Sequence, residues 1–219
     1  MISILSANQK RLLKLLGEQK SVAEHFYLTG GTALAEYYLH HRYSEDLDFF
    51  SEQEFDPIAI SVLLKKIQAG AGISQISLEQ SFNRNIFLLE LKGEALKTEF
   101  TYFPFPRIGR GPRKDGISID SLLDIAVNKI FTVYEKPRAR DFIDLYCILR
   151  QEKEWTLEEL AKKAQVKFDH FLDPLQLAAQ CTTAETLTDY PRMINALPEK
   201  DWRHFFTNVS KELSRKILS

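Results

Sequence analysis

Cysteine is scarce in this 219-residue chain. Its two thiols, Cys147 and Cys181, both lie in apolar, helix-patterned stretches. They read as core fillers rather than a disulfide, so no cross-linked scaffold holds the fold. The five histidines are scattered, and none makes a metal-like spacing. There is no surplus of charge: 29 Lys and Arg stand against 30 Asp and Glu, for a net charge of −1. That excludes the global basicity of a sequence-hungry DNA binder, while leaving room for a local basic groove. Long apolar runs are missing too. The opening stretch MISILSANQKRLLKLLGEQK is broken by polar residues every few positions and has no cleavage-site pattern. It reads as neither signal peptide nor membrane span, and a cytoplasmic protein is expected. No repeat or low-complexity tract interrupts the sequence. With 44% hydrophobic and 27% charged residues, the composition is that of a soluble globular protein. The length allows one sizeable domain or two small ones.

What is present centres on Phe26–Ser51, FYLTGGTALAEYYLHHRYSEDLDFFS. A short strand through Tyr27 and Leu28 leads to Gly30-Gly31, where the missing Cβ atoms permit a turn with positive φ. Thr32 is placed to cap a helix over Ala33–His40, rich in Ala, Leu and Glu. A helix start after two glycines offers free N–H groups to a phosphate. Asp46-Leu47-Asp48-Phe49-Phe50 then alternates as a strand, so both aspartates share one face, roughly 7 Å apart. Two hard carboxylates beside a phosphate cradle suit magnesium, or manganese, together with a triphosphate.

GGTALAEYYLHHRYSEDLDFF resembles the signature of the AbiEii/AbiGii-type toxins, members of the polymerase-beta-like nucleotidyltransferase superfamily. The family pattern is a Gly-Gly turn, a helix, Arg-x-Ser, then Asp-x-Asp. Arg42, Ser44, Asp46 and Asp48 fill those places, and the resemblance covers roughly residues 20–150. It implies that Gly30, Gly31, Thr32, Arg42 and Ser44 contact the nucleotide, and that Asp46 and Asp48 bind metal and catalyse transfer. By the same resemblance Glu99 stands as third carboxylate, as metal ligand or base, where many members have Asp. Lys129 takes the place of a lysine that contacts the triphosphate. Arg140-Asp141-Phe142 with Asp144-Leu145 matches a further family segment, with Asp141 either at the nucleotide or, like Asp144, a buried acid that pairs with Arg42 or Lys129 and orients it.

Elsewhere the patterns are ordinary. Residues 6–20 predict an amphipathic helix carrying Leu12, Leu13, Leu15 and Leu16. Asp56-Pro57 starts a helix that runs to about Gln68 and ends at Gly70-Ala71-Gly72. Ile73–Glu79 and Asn85–Leu91 alternate as a hairpin about a turn at Ser81–Arg84, and Leu96–Phe103 is a further strand. That strand puts Lys97 with Glu99 on one face and Thr98 with Phe100 on the other. Residues 104–117 read as a loop holding Arg107, Arg110, Arg113 and Lys114, either solvated surface or an arm for RNA phosphates. A helix opens at Ile119-Asp120-Ser121. Its Lys129 lies beside the apolar stripe, where a lysine ordinarily snorkels to water. Another helix spans Arg138–Arg150. Thr156 to Glu159 forms a capping box, and three or so helices follow to about Leu218.

The fold class expected is α/β (α+β): a small mixed-sheet nucleotidyltransferase domain over 1–117, then a helical bundle over 118–219. The implied activity is transfer of a nucleoside monophosphate from a triphosphate to an acceptor hydroxyl. The resemblance points to RNA, and a tRNA 3′ end in particular, as acceptor, and to a separately encoded antitoxin as partner, with no membrane. Two other readings compete. A metal-dependent glycosyltransferase also uses Asp-x-Asp, but needs neither Gly30-Gly31 nor Lys129. A non-catalytic nucleotide-binding module would keep the fold, and Glu99 in place of Asp leaves it open.

Overall fold

The computed structural model describes residues 3–218, and Met1, Ile2 and Ser219 lie outside it. It divides into two compact units. One comprises residues 1–38 and 44–122, the other residues 39–43 and 123–219.

The first unit is built on a seven-stranded mixed sheet. Its strands are β1 (Tyr27–Thr29), β2 (Leu47–Ser51), β3 (Ile73–Ser81), β4 (Arg84–Leu91), β5 (Glu94–Tyr102), β6 (Arg113–Lys114) and β7 (Ile117–Ile119), in spatial order β3-β4-β5-β2-β1-β7-β6. β2 pairs parallel to β5 and antiparallel to β1, so the aspartate-bearing strand lies mid-sheet. Alternation along β2 buries Leu47, Phe49 and Ser51 and leaves Asp48 and Phe50 half-buried on the opposite face. Phe49 stacks on Phe100 with ring centroids 4.9 Å apart, and Phe26 and Phe87 meet Phe100 edge-on. This aromatic centre fixes the register, because a one-residue slip would turn Phe49 outward and Asp48 into the core.

Helices α1 (Ala7–Gly17), α2 (Lys20–His25), α3 (Gly30–Leu34) and α4 (Pro57–Ala71) complete the unit. Ser6 and Gln9 close a capping box on α1, and Leu12, Leu13 and Leu16 form its buried stripe. Asp56 caps α4, with Pro57 in its first turn and Gly72 at φ 76° ending it. The helix expected over residues 6–20 is α1, which ends earlier than expected, and a separate helix, α2, begins at Lys20. α1 stops at Gly17, which lies against the turn between β6 and β7, and a Cβ there would stand 1.8 Å from the Asp115 carbonyl oxygen. The stretch 104–117, expected as a loop, contains β6 and the start of β7. The hairpin turn is narrower than expected, Phe82-Asn83 alone.

The second unit holds α5 (Leu122–Glu135), α6 (Ala139–Gln151), α7 (Leu157–Phe168), α8 (Pro174–Thr182) and α9 (Glu199–Leu218), with a 3-10 turn at Thr183–Glu185. The first residue of α5 belongs to the first unit. The capping box at Thr156 and Glu159 is formed. Phe142, Trp202 and Phe206 are fully buried together, the Phe142 and Phe206 centroids 4.7 Å apart. Lys167 reaches Asp124 at 2.7 Å, a pair excluded from water. Residues 39–43 join this unit through backbone bonds from Tyr43 N to the Arg192 carbonyl, 2.8 Å, and from Ile194 N to the His41 carbonyl, 3.0 Å. Cys147 and Cys181 are free, and burial pushes both thiols up to about 12, so neither is a nucleophile near neutral pH.

Gly17 tests the packing of α1 on the sheet. Gly17→Ala forces the 115–116 turn to move, an overpacking cost of about 1–3 kcal/mol, so the melting temperature should fall by roughly 2–10 °C in a thermal scan. A melting temperature equal to wild type would show that α1 does not depend on this close approach.

Candidate functional site

The chain enters the site through β1 and Gly30. Gly30 takes φ 72°, and a Cβ there would stand 2.4 Å from Asp48 Oδ2. Glycine is favoured at this position by its backbone angle, and an added Cβ would also have to push the Asp48 carboxylate aside. Gly31 is not among the positive-φ residues. The helix begins at Gly30 rather than after Thr32, and continues as a π-helical turn over Ala35–Leu39. Thr32 is consequently inside α3 and caps nothing. Its hydroxyl donates to the Asp46 carbonyl, fastening the entry of β2 to α3.

On β2 the Cα of Asp48 is in register with Thr29 on one side and Glu99 on the other. Asp46, one residue before the strand, is part-exposed and accepts from Lys97 Nζ at 2.9 Å. Glu99 is buried at 4% exposure and its carboxylate is held by protein groups. Arg84 grips it with two nitrogens, at 2.7 and 2.6 Å, and the Thr101 hydroxyl donates at 2.7 Å. Burial alone would raise the Glu99 pKa. The hydrogen bonds from Arg84 and Thr101 and the charges of Arg84 and Lys97 outweigh it and hold the carboxyl below its ordinary range. Lys97 shares a face with Glu99 but pairs with Asp46. Among the described residues no group of three or more His, Cys, Asp or Glu side chains gathers to hold a metal. The hard-oxygen donors are Asp46 and Asp48, with Glu99 committed to Arg84.

The second unit holds the other expected residues. Arg42, 4% exposed, meets Asp144 through Nε at 2.6 Å and Nη2 at 2.8 Å, and gives Nη1 to the Tyr43 carbonyl. His41 Nε2 lies 2.8 Å from the same carboxylate. Lys129 does not snorkel outward. It is 9% exposed, and its Nζ lies 2.6 Å from Asp141 and 2.7 Å from Asp144. Arg138 completes the group on Asp141 at 3.1 Å. Burial would raise both aspartates; the charge and hydrogen bond of Lys129, with the charge of Arg138, lower Asp141, while the charges of Lys129 and Arg42 and the hydrogen bonds with Arg42 and His41 hold Asp144 well below the usual carboxylate range. What Arg42, Lys129 and Asp141 contact in the structure is one another's network, the pairing that the sequence pattern allowed for the two acids. Ser44 is half-buried between this segment and β2.

The four-cation stretch is anchored. Arg107 bonds Glu52 and lies over the Tyr27 ring, 4.2 Å from its centroid. Arg113 donates to the carbonyls of Gly116 and Ala23. Arg110 and Lys114 are exposed.

Sequence reasoning missed Arg84 and His41. Arg84 sits at a hairpin edge, fifteen residues before the Glu99 it grips. Only the pairing of β4 with β5 brings it there, and no spacing in the sequence signals it.

The match to known proteins is now decisive. The family model for the nucleotidyl transferase AbiEii toxin of type IV toxin–antitoxin systems matches residues 14–216. The chain belongs to that family. A relative from Aquifex aeolicus, itself an uncharacterized protein, is 35% identical over 153 residues, 67% of this chain and 68% of its own. A Helicobacter pylori structure described as a candidate nucleotidyltransferase superposes with TM-score 0.62 at 19% identity, covering 97% of both chains. The Mycobacterium tuberculosis nucleotidyltransferase toxin MenT4 gives TM-score 0.54 at 13% identity, over 94% of this chain and 81% of that one. These structures share the mixed α/β nucleotidyltransferase fold. The family match spans both units, further than the motif-bearing residues 20–150, and sets the glycosyltransferase reading aside. Among the described residues no helix is long and apolar enough to cross a membrane.

Two outcomes follow. Because the folded pKa of Glu99 is depressed, its contribution to stability is present above the ordinary glutamate pKa and is lost as pH falls through the lower folded value. The melting-temperature gap between wild type and Glu99→Gln should therefore be widest near neutral pH and close in strongly acidic buffer. A gap constant with pH would contradict the ionised Arg84–Glu99 pair. In the other unit, Lys129→Met leaves Asp141 and Asp144 short of a cation and should cost about 3–5 kcal/mol, lowering the melting temperature by roughly 6–20 °C. Adding Asp141→Asn should restore part of that loss, and strict additivity in the cycle would show that the two do not interact.

Proposed function

We propose that this family member transfers a nucleoside monophosphate from a triphosphate to an RNA hydroxyl, with Asp46 and Asp48 as the ligands of divalent magnesium or, alternatively, manganese. The observation that carries the reading is the crowding of Asp48 against Gly30: a positive-φ glycine keeps a carboxylate beside the turn that begins α3. Evicting a Cβ to seat an anion there has a clear use if that anion and the adjacent backbone N–H groups share one ligand, a metal-bound triphosphate.

A bound cation would neutralise phosphate charge and lower the pKa of the acceptor hydroxyl. The residues of this chain do the rest. Gly30 and Gly31 present backbone to the phosphates. Thr32 holds Asp46 in place through its carbonyl, and Lys97 balances the Asp46 carboxylate until it is needed. Glu99, kept ionised by Arg84, adds negative field beside Asp48 and is a ligand only if Arg84 lets go. The acceptor hydroxyl gives up its proton to water as its oxygen bonds to the α-phosphorus in line, the bond from that phosphorus to the α–β bridging oxygen breaks, and pyrophosphate departs with the electron pair. Lys129, with Arg42, Asp141 and Asp144, serves by holding its own unit rigid. A tRNA 3′ end is the first acceptor to try, and family membership supports a separately encoded antitoxin as partner. The non-catalytic alternative predicts triphosphate binding without transfer.

The test is calorimetric titration of each triphosphate with and without magnesium, followed by incubation with labelled triphosphate and total RNA. Asp46→Asn removes one anionic ligand at constant shape, and should weaken magnesium-dependent triphosphate binding by tenfold or more, roughly the worth of one charge-assisted contact, and abolish label transfer. Equal affinity in wild type and Asp46→Asn would sink the metal-site assignment.

A further inference from the structure

The β3–β4 hairpin ends in a turn that breaks two local rules at one residue. Phe82 has φ 54°, a conformation that favours Gly, Asn or Asp in short hairpin turns, and is an outlier for a bulky side chain. It is also 99% exposed, so the ring gives up the burial that normally stabilises an aromatic residue. Neither the backbone nor packing explains phenylalanine here, and such double violations concentrate at functional positions.

Its place in the sheet says which function. The Asn83 carbonyl accepts from Tyr102 N at 3.1 Å, at the end of β5. Tyr102 lies three residues, roughly 10 Å, along that strand from Glu99, which is the register neighbour of Asp48. Two residues after Phe82, Arg84 reaches back to Glu99 and feels the charges of Asp48 and Asp46, while its side chain stays about half exposed. A flat ring and a guanidinium thus stand within a nucleotide or two of the carboxylates. The residues around Phe82 are polar, Gln80-Ser81 before it and Asn83 after it. A lone ring amid polar groups lacks the contiguous apolar area of a protein interface, and instead suits a base, which has a face to stack and a charged backbone for the arginine.

We propose that Phe82 is a stacking platform for a base of the single-stranded RNA acceptor, with Arg84 beside it for the adjoining backbone. Stacking reads no base edge, so the site is tolerant of sequence. The inference rests on the RNA-acceptor reading above and adds where the acceptor lies.

The full chain is titrated with fluorescein-labelled oligoadenylate and oligouridylate of about twelve nucleotides, within the usual span of single-strand sites, and followed by anisotropy. Phe82→Ala and Phe82→Leu should each weaken binding roughly ten- to a hundredfold for both oligonucleotides, and Phe82→Trp should keep it. Phe82→Gly relieves the backbone, so its melting temperature should equal or exceed that of wild type while its RNA affinity falls, which separates recognition from folding. Wild-type affinity in Phe82→Ala, absence of binding by the wild type, or full rescue by Phe82→Leu, which would indicate apolar docking of a protein, each overturns the proposal. Triphosphate binding by the wild type is decided by calorimetry alone. A protein that binds triphosphate with magnesium but shows no RNA dependence on Phe82 defeats this inference and leaves the metal site standing.

Discussion

Asp46, Asp48 and Glu99 are three carboxylates on, or one residue ahead of, two neighbouring strands, and keeping each of them paired, solvated or given room is the constraint that the first unit is built to manage. It is managed unevenly. Glu99 is buried and gripped by Arg84 and Thr101, so it stays ionised but committed. Asp46, nearer to solvent, meets a single lysine whose side chain is itself part-exposed, an exchangeable pairing worth little in water. Asp48 is given space by the absence of a Cβ at Gly30. The gradient from a locked carboxylate to an exchangeable one is what a site needs if it is to assemble around an incoming cation.

The second unit solves the same problem by exclusion of water. Asp144 is fully buried and meets Arg42, His41 and Lys129, while Asp141 meets Lys129 and Arg138. A buried pair gains little over apolar packing, but losing one member strands the other, so such a cluster specifies geometry more than it adds stability. Here it specifies where residues 39–43 go. The chain leaves the first unit at the end of the π-helical turn, lays Arg42 and His41 onto Asp144 of α6, and returns as β2. The Arg-x-Ser-x-Asp-x-Asp string of this chain is therefore two devices in one: an anchor for the helical unit and a carboxylate pair for the sheet.

The resemblance to the AbiEii signature accounts for the anchor, the glycine turn and the aspartates together, because all three lie in the stretch 30–48 that carries it. It does not account for Phe82 or for the Arg84–Glu99 grip, which lie outside that string. Function resides in sites carried on a shared fold, so such features bear on the substrate more than the fold does.

The sequence by itself determined the local chemistry. Period-two alternation marked β2 and β5, the glycines and prolines marked the ends of α4, and Thr156 with Glu159 marked the start of α7, because each depends on neighbours within a few residues. The pairing of Asp141 and Asp144 with Arg42 and Lys129 was legible as well, since buried charges must find partners and few were on offer. The tertiary structure decided the rest. Gly17 at the end of α1 lies against a turn about one hundred residues away in the chain, and residues 117–119 became a strand because β1 was there to pair with them, with 113–114 folding back onto that strand. Thr32 became a tether for Asp46 instead of a cap because Gly30 could already turn the chain into the helix. The partner of Glu99 was fixed by the register of β4 on β5, and cross-strand register is set by which faces must be buried, a property of the assembled sheet that no short window of sequence contains.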